Sequence, residues 1–157
     1  MKKLLNPYTN IPGYNCFGCS PNNEHGLQME FYEDGDWIIS PWKPKPHLHG
    51  YGNILHGGIQ TTMLDEIASW VIYIKLETAG VTSGIDVKFK KAVHTSDKPI
   101  TVRAKLVDHN RKLATIHAEL LNENDEICTE AEVKYFIFSQ NVAREKFYYQ
   151  GKQAFYE

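Results

Sequence analysis

The sequence predicts an α+β fold in which one antiparallel sheet of about five to six strands wraps a single long helix. Two observations carry this. Residues 57–77 hold no Pro and no Gly beyond Gly58, and their apolar residues (Ile59, Met63, Leu64, Ile67, Ala68, Val71, Ile74) recur at three and four, which is helical spacing. Everything after Gly80 is β-branched and alternating, broken only by short polar turns, and short connections favour antiparallel neighbours.

In chain order, residues 1–26 are rich in Pro, Gly and Asn and read as an irregular N-terminal wrap. Leu27, Met29 and Phe31 alternate with polar neighbours and suggest a first strand; Asp34-Gly35 supplies a turn and residues 37–41 a second strand. Residues 43–52, dense in Pro, His and Gly, form a loop before the helix, which Ala79-Gly80 ends. Strands are then expected at 81–93, 100–108, 113–121 and 127–138, with turns at Ser96-Asp97, Asn110-Arg111 and 122–125. The polar and aromatic tail, 141–157, has no clear period. The length suits a single domain over 1–157.

Hydrophobic residues make up 42% and charged residues 23%, enough for a core and unlike a disordered chain. A formal net charge of -2 lacks the basic excess of a nucleic-acid binder. Three Cys are too few for a disulfide-stapled fold and suit a reducing compartment. No apolar run is long enough to span a bilayer, and no apolar stretch follows Lys2-Lys3 as in a signal peptide, so a cytoplasmic location is expected.

The second half of the helix is apolar nearly all round (Trp70, Val71, Ile72, Tyr73, Ile74). One sheet covers only one side of such a helix, so a second copy of the chain is expected to cover the rest, giving a homodimer or a dimer of dimers.

Chemistry concentrates at the helix start. Gly57 and Gly58 lie where loop becomes helix, with free N–H groups and the positive end of the macrodipole, suitable ground for polarising a carbonyl oxygen. From Gly57, steps of four give Thr61, Asp65 and Ser69, a polar stripe on an apolar element. Asp65 is too deep to be an N-cap, and a carboxylate there is a candidate general base or nucleophile. Glu66, about 100° further round, better fits a solvated position. His56 suits a structural role at the helix entry, the alternative being a general base. Cys16-x-x-Cys19 without a second pair is weak evidence for zinc, and no metal is expected.

His56-Gly57-Gly58 followed by Asp65, nine residues after the His, resembles the hotdog-fold acyl-CoA thioesterases, and more closely their phenylacetate-degradation (PaaI-like) branch. Cys16-Phe17-Gly18-Cys19 with Gly26-Leu27, and Val87-Lys88-Phe89-Lys90-Lys91, are similar to segments of that branch, so the resemblance covers roughly residues 16–138. It implies a hotdog fold paired into dimers and hydrolysis of an acyl-CoA thioester, with coenzyme A as part of the substrate and no further cofactor. It implies Asp65 as catalytic acid, the Gly57 N–H as oxyanion donor with Gly58 beside it, Ser69 supporting the carboxylate and Ser83 holding the attacking water. Relatives often carry Asn or Gln six or seven residues before the His; here Gly50 and His49 stand there, leaving the polar role to His49 or Asn53. Lys88, Lys90 and Lys91 are candidates for the CoA phosphates, or else an ordinary solvated strand face. The alternatives are a non-catalytic acyl-CoA or acyl-carrier binding module, and a hotdog dehydratase, for which no convincing His motif is present.

Overall fold

The structure, a computed structural model, describes residues 1–96 and 98–156. Seven strands form one antiparallel sheet: β1 (Lys2–Lys3), β2 (Tyr32–Asp34), β3 (Trp37–Trp42), β4 (Gly80–Phe89), β5 (Ile100–His109), β6 (Leu113–Leu121) and β7 (Ile127–Ile137). Their spatial order is β1-β2-β3-β5-β6-β7-β4. Helix α1 (Gly57–Val71) continues through a π-helical turn (Ile72–Leu76) to Glu77, which stops it with φ 54°. It packs against β3, β5, β6, β7 and β4, so the sheet wraps it as the periodicity predicts. Helix α2 (Gln140–Phe147) follows β7 and is capped by the Ser139 hydroxyl, which accepts from the Val142 N–H.

The strands after α1 form close to their expected bounds, except that β4 ends at Phe89 and not at 93. The first expected strand does not form. Leu27, Met29 and Phe31 do point inward, fully or almost fully buried, but the Leu27 and Met29 N–H groups bond to the Phe17 and Gly18 carbonyls, a loop and not a sheet neighbour. Alternation there reports burial, and pairing begins only at Tyr32. Strand β1 is two residues long, too short to carry a pattern. Of the expected turn at Ser96-Asp97, Asp97 lies outside the described residues.

The packing argument for a second copy also needs correction. Trp70, Val71, Ile72 and Ile74 are all buried within one protomer. Trp70 stacks on Phe31 at 4.2 Å between centroids and meets Phe155 edge-on at 5.4 Å. Tyr73 packs against Tyr8, Tyr149 and Phe155. The Tyr149 hydroxyl donates to the Tyr73 carbonyl at 2.9 Å. The N-terminal wrap and the aromatic tail therefore close over the end of the helix that the sheet leaves open. Among the described residues, no helix is long and apolar enough to cross a membrane.

Candidate active site

Asp65 sits two turns into α1 and is half-buried. Its carboxylate Oδ1 accepts from the Thr82 hydroxyl at 2.7 Å and lies 3.0 Å from the Tyr135 hydroxyl, which also reaches the Asp65 carbonyl at 2.9 Å. These two hydroxyls converge because Thr82 on β4 and Tyr135 on β7 are direct cross-strand partners, so both face α1. Burial, and then the Asp65 charge, push the Tyr135 phenol well above its ordinary value, so it stays a neutral donor. Both partners take Oδ1. No hydrogen bond to Oδ2 is found among the described residues, which leaves that oxygen to accept from water or substrate.

Ser69 does not hold this carboxylate. Its hydroxyl donates to the Glu66 carbonyl at 2.7 Å, back into its own helix. Ser83 is the residue left over where the β4–β7 register slips between Thr82 and Gly84, a β-bulge. Its hydroxyl donates to the Lys134 carbonyl at 3.2 Å, and Thr82 takes the place on Asp65 that the sequence suggested for a serine. Thr82 and Tyr135 were not legible as site residues. Locating them requires the pairing of two strands some fifty residues apart and the position of one bulge.

At the start of α1, His56 is the N-cap: its Nδ1 accepts from the Gly58 N–H at 2.9 Å. An accepting nitrogen carries no proton, so this ring edge is a cap and the Gly58 amide is occupied. No hydrogen bond to the Gly57 N–H is found among the described residues, and Gly57 is the amide left for a ligand. The Phe89 ring stands beside it; a Cβ on Gly57 would lie 3.4 Å from Phe89 Cε1. The Thr61 hydroxyl donates to the Gly57 carbonyl at 2.9 Å, fixing the first turn without facing outward.

The loop before α1 is tied to the segment following β4. His49 Nε2 lies 2.8 Å from the Thr95 hydroxyl, and Asn53 Oδ1 lies 3.4 Å from His94 Nδ1. At Gly50, a Cβ would come 3.3 Å from the His56 Cα, so the backbone approach there leaves little room for the Asn or Gln of relatives. Of the candidate phosphate contacts, Lys90 pairs with Glu130 at 2.5 Å and Lys91 pairs with Glu126. Lys88 is exposed and without an ion pair among the described residues.

Two cavities of about 660 and 590 Å3 flank the N-terminal wrap, and neither is lined by Asp65 or Gly57. The second is lined by Glu66, which is far from solvated. Burial, and then the neighbouring Cys16, push its carboxyl up to about 7.

A long helix wrapped by one antiparallel sheet, with glycines at its mouth and a carboxylate two turns in, defines a hotdog fold of thioesterase type. Residues 52–129, just under half of the chain, match the profile of the Thioesterase superfamily. Solved structures agree on the fold. A hypothetical thioesterase from Streptococcus pneumoniae TIGR4, solved with coenzyme A, superposes with a TM-score of 0.66 at 22% identity, covering 71% of this chain and 87% of that one. The Escherichia coli PaaI protein of the phenylacetic acid degradation operon gives 0.65 at 13% identity over 73% and 82%. A Streptococcus mutans UA159 protein bound to acetyl CoA gives 0.66 at 13% identity over 83% and 98%. No curated protein matches this chain in sequence. The family's reaction, thioester hydrolysis, is the activity this chain takes from it.

Proposed function

We propose that the protein hydrolyses an acyl-CoA thioester, as a PaaI-like enzyme, at a site shared between two copies of the chain. The observation that carries this is the Asp65 carboxylate, held through one oxygen by Thr82 and Tyr135 with the other left open. Oriented this way, Oδ2 takes a proton from water as the water oxygen attacks the thioester carbon. The carbonyl oxygen, gaining charge, rests on the Gly57 N–H at the helix N-terminus. Collapse breaks the C–S bond, and the proton held by Asp65 passes to the departing thiolate of coenzyme A, leaving the free acid. Coenzyme A as ligand is supported by the S. pneumoniae and S. mutans structures. Ser83, exposed on the β4 edge, is the proposed hydroxyl for the water, and Lys88 the cation best placed for phosphate.

Two features support a shared site. Asp65 lies eight residues beyond Gly57, about 12 Å along the helix axis, a long span for the carboxylate and the amide of one chain to flank a single thioester and its attacking water. Strand β4 is also an open sheet edge with Val81 and Phe89 exposed, and edges of this kind invite pairing with a second copy. Two-fold pairing there would bring Asp65 of one chain towards Gly57 of the other. A thiol-release assay across a panel of acyl-CoAs tests the reading. Wild type should turn over at least one substrate, and Asp65→Asn should lower kcat by about a hundredfold or more. Near wild-type turnover by Asp65→Asn would remove the base. A protein that binds acyl-CoA and releases no thiol would instead be the non-catalytic binding module.

A further inference from the structure

We infer that Cys16, Cys19 and Glu66 form a binding site for one zinc ion between the N-terminal wrap and α1, separate from the proposed thioesterase site. Sγ of both cysteines and a Glu66 carboxylate oxygen lie within 4.8 Å of one another. Cys16 Sγ is 3.6 and 3.7 Å from the two Glu66 oxygens. Tetrahedral zinc, with thiolate at about 2.3 Å and carboxylate at about 2.1 Å, sets an S···O edge of about 3.6 Å and an S···S edge of about 3.8 Å. The Cys16–Glu66 separation already matches an edge of this coordination tetrahedron, and the other separations, within 4.8 Å, would close to it with small side-chain rotations. Two thiolates with one carboxylate suit zinc better than magnesium or calcium, which take oxygen ligands.

The surroundings are built to hold these groups. A Cβ at Gly18 would lie 2.5 Å from Glu66 Cδ, so the Cys-x-x-Cys turn brings its backbone against the carboxylate, and a side chain there would have to displace it. Cys19 Sγ lies 2.9 Å from the Tyr14 hydroxyl, and Asn6 Nδ2 donates to the Cys19 carbonyl at 3.1 Å with Sγ 3.7 Å away. Outer donors of this sort fix and stabilise thiolate ligands. No Lys, Arg or His forms an ion pair with Glu66 among the described residues, so three acidic groups crowd together without a cation. The cavity of about 590 Å3 reaches Cys16, Cys19 and Glu66 and gives an entry path and room for a water as fourth ligand.

The test uses tag-free, full-length protein, reduced, stripped with chelator and titrated with Zn2+ and with Co2+. We expect one Zn2+ per chain by elemental mass spectrometry and an intense thiolate-to-cobalt charge-transfer band. Cys16→Ser should abolish the band and weaken Zn2+ binding by at least about a hundredfold, Glu66→Gln by at least about tenfold, and Cys128→Ser not at all. A readout without variants guards against misfolding: Zn2+ should protect Cys16 and Cys19, but not Cys128, from alkylation read by peptide mass. Folded, reduced wild type that takes up neither metal would overturn the site. So would equal alkylation with and without Zn2+, or a Cys16–Cys19 disulfide in protein that never retains metal.

Discussion

Tyr135→Phe tests the claim that Asp65 is a positioned base and not merely a polar residue near an edge. The tyrosine is 2% exposed and its ring packs in the core, so Phe preserves the packing and removes only the hydroxyl. That hydroxyl lies 3.0 Å from Asp65 Oδ1 and 2.9 Å from the Asp65 carbonyl. A hydrogen bond to a charged group contributes about 1.5–3 kcal/mol. If most of this acts in orienting the carboxylate for proton transfer, kcat should fall by roughly ten- to a hundredfold, at 1.36 kcal/mol per decade. KM should change little, because the hydroxyl faces the base and not the acyl or CoA groups. The assay is steady-state thiol release on the best acyl-CoA, with thermal unfolding run in parallel. Thr82→Val, removing the other donor, should act in the same sense, and the double variant should show non-additive loss because both donors serve one oxygen. A folded Tyr135→Phe enzyme with unchanged kcat, or one whose loss is wholly in KM, would refute the reasoning.

Two further outcomes are expected. Gly57→Val should fold, since Gly57 has no positive φ and a Cβ would make ordinary contact with Phe89, but its methyl groups crowd the free amide and turnover should fall; unchanged kinetics would place the oxyanion donor elsewhere. Glu119 offers a pH test of stability. Burial pushes its carboxyl up, but hydrogen bonds from His117 and Arg103 outweigh burial and hold it below its ordinary 4.5. A depressed carboxylate contributes stability that is present above about pH 4.5 and lost as pH falls through the lower folded value, so wild type should lose more Tm below that point than Glu119→Gln. Equal losses in the two proteins would show that the cluster adds nothing.

Much of the fold is legible in the sequence, and the reason is physical. Residues 57–71 and strands β5, β6 and β7 each bury a face, so their periods are clean and their ends carry turn residues. What escaped is what depends on partners distant in sequence. Residues 27–31 alternate as a strand does but bond to a loop. Trp70 and Ile72 read as needing a second chain, because the wrap and tail that cover them have no periodicity of their own. At the site, Asp65 and Gly57 follow from spacing along one helix. Thr82 and Tyr135 do not, because a single bulge at Ser83 decides which hydroxyl of β4 faces the carboxylate. Glu66 was misread for a related reason: its face of α1 points at an irregular segment, and only the structure shows Gly18 pressed against it.

The most direct test of the central claim, a base and an oxyanion donor on different chains, is subunit complementation. Asp65→Asn and Gly57→Val, each strongly impaired alone, are mixed in equal amounts and allowed to exchange subunits. In a shared site, each mixed dimer regains one intact site, Asp65 from one chain facing Gly57 from the other. Random exchange makes about half the dimers mixed, so activity should return to roughly a quarter of wild type per chain. No recovery, with exchange verified by mass, would place both residues in one chain and contradict the account.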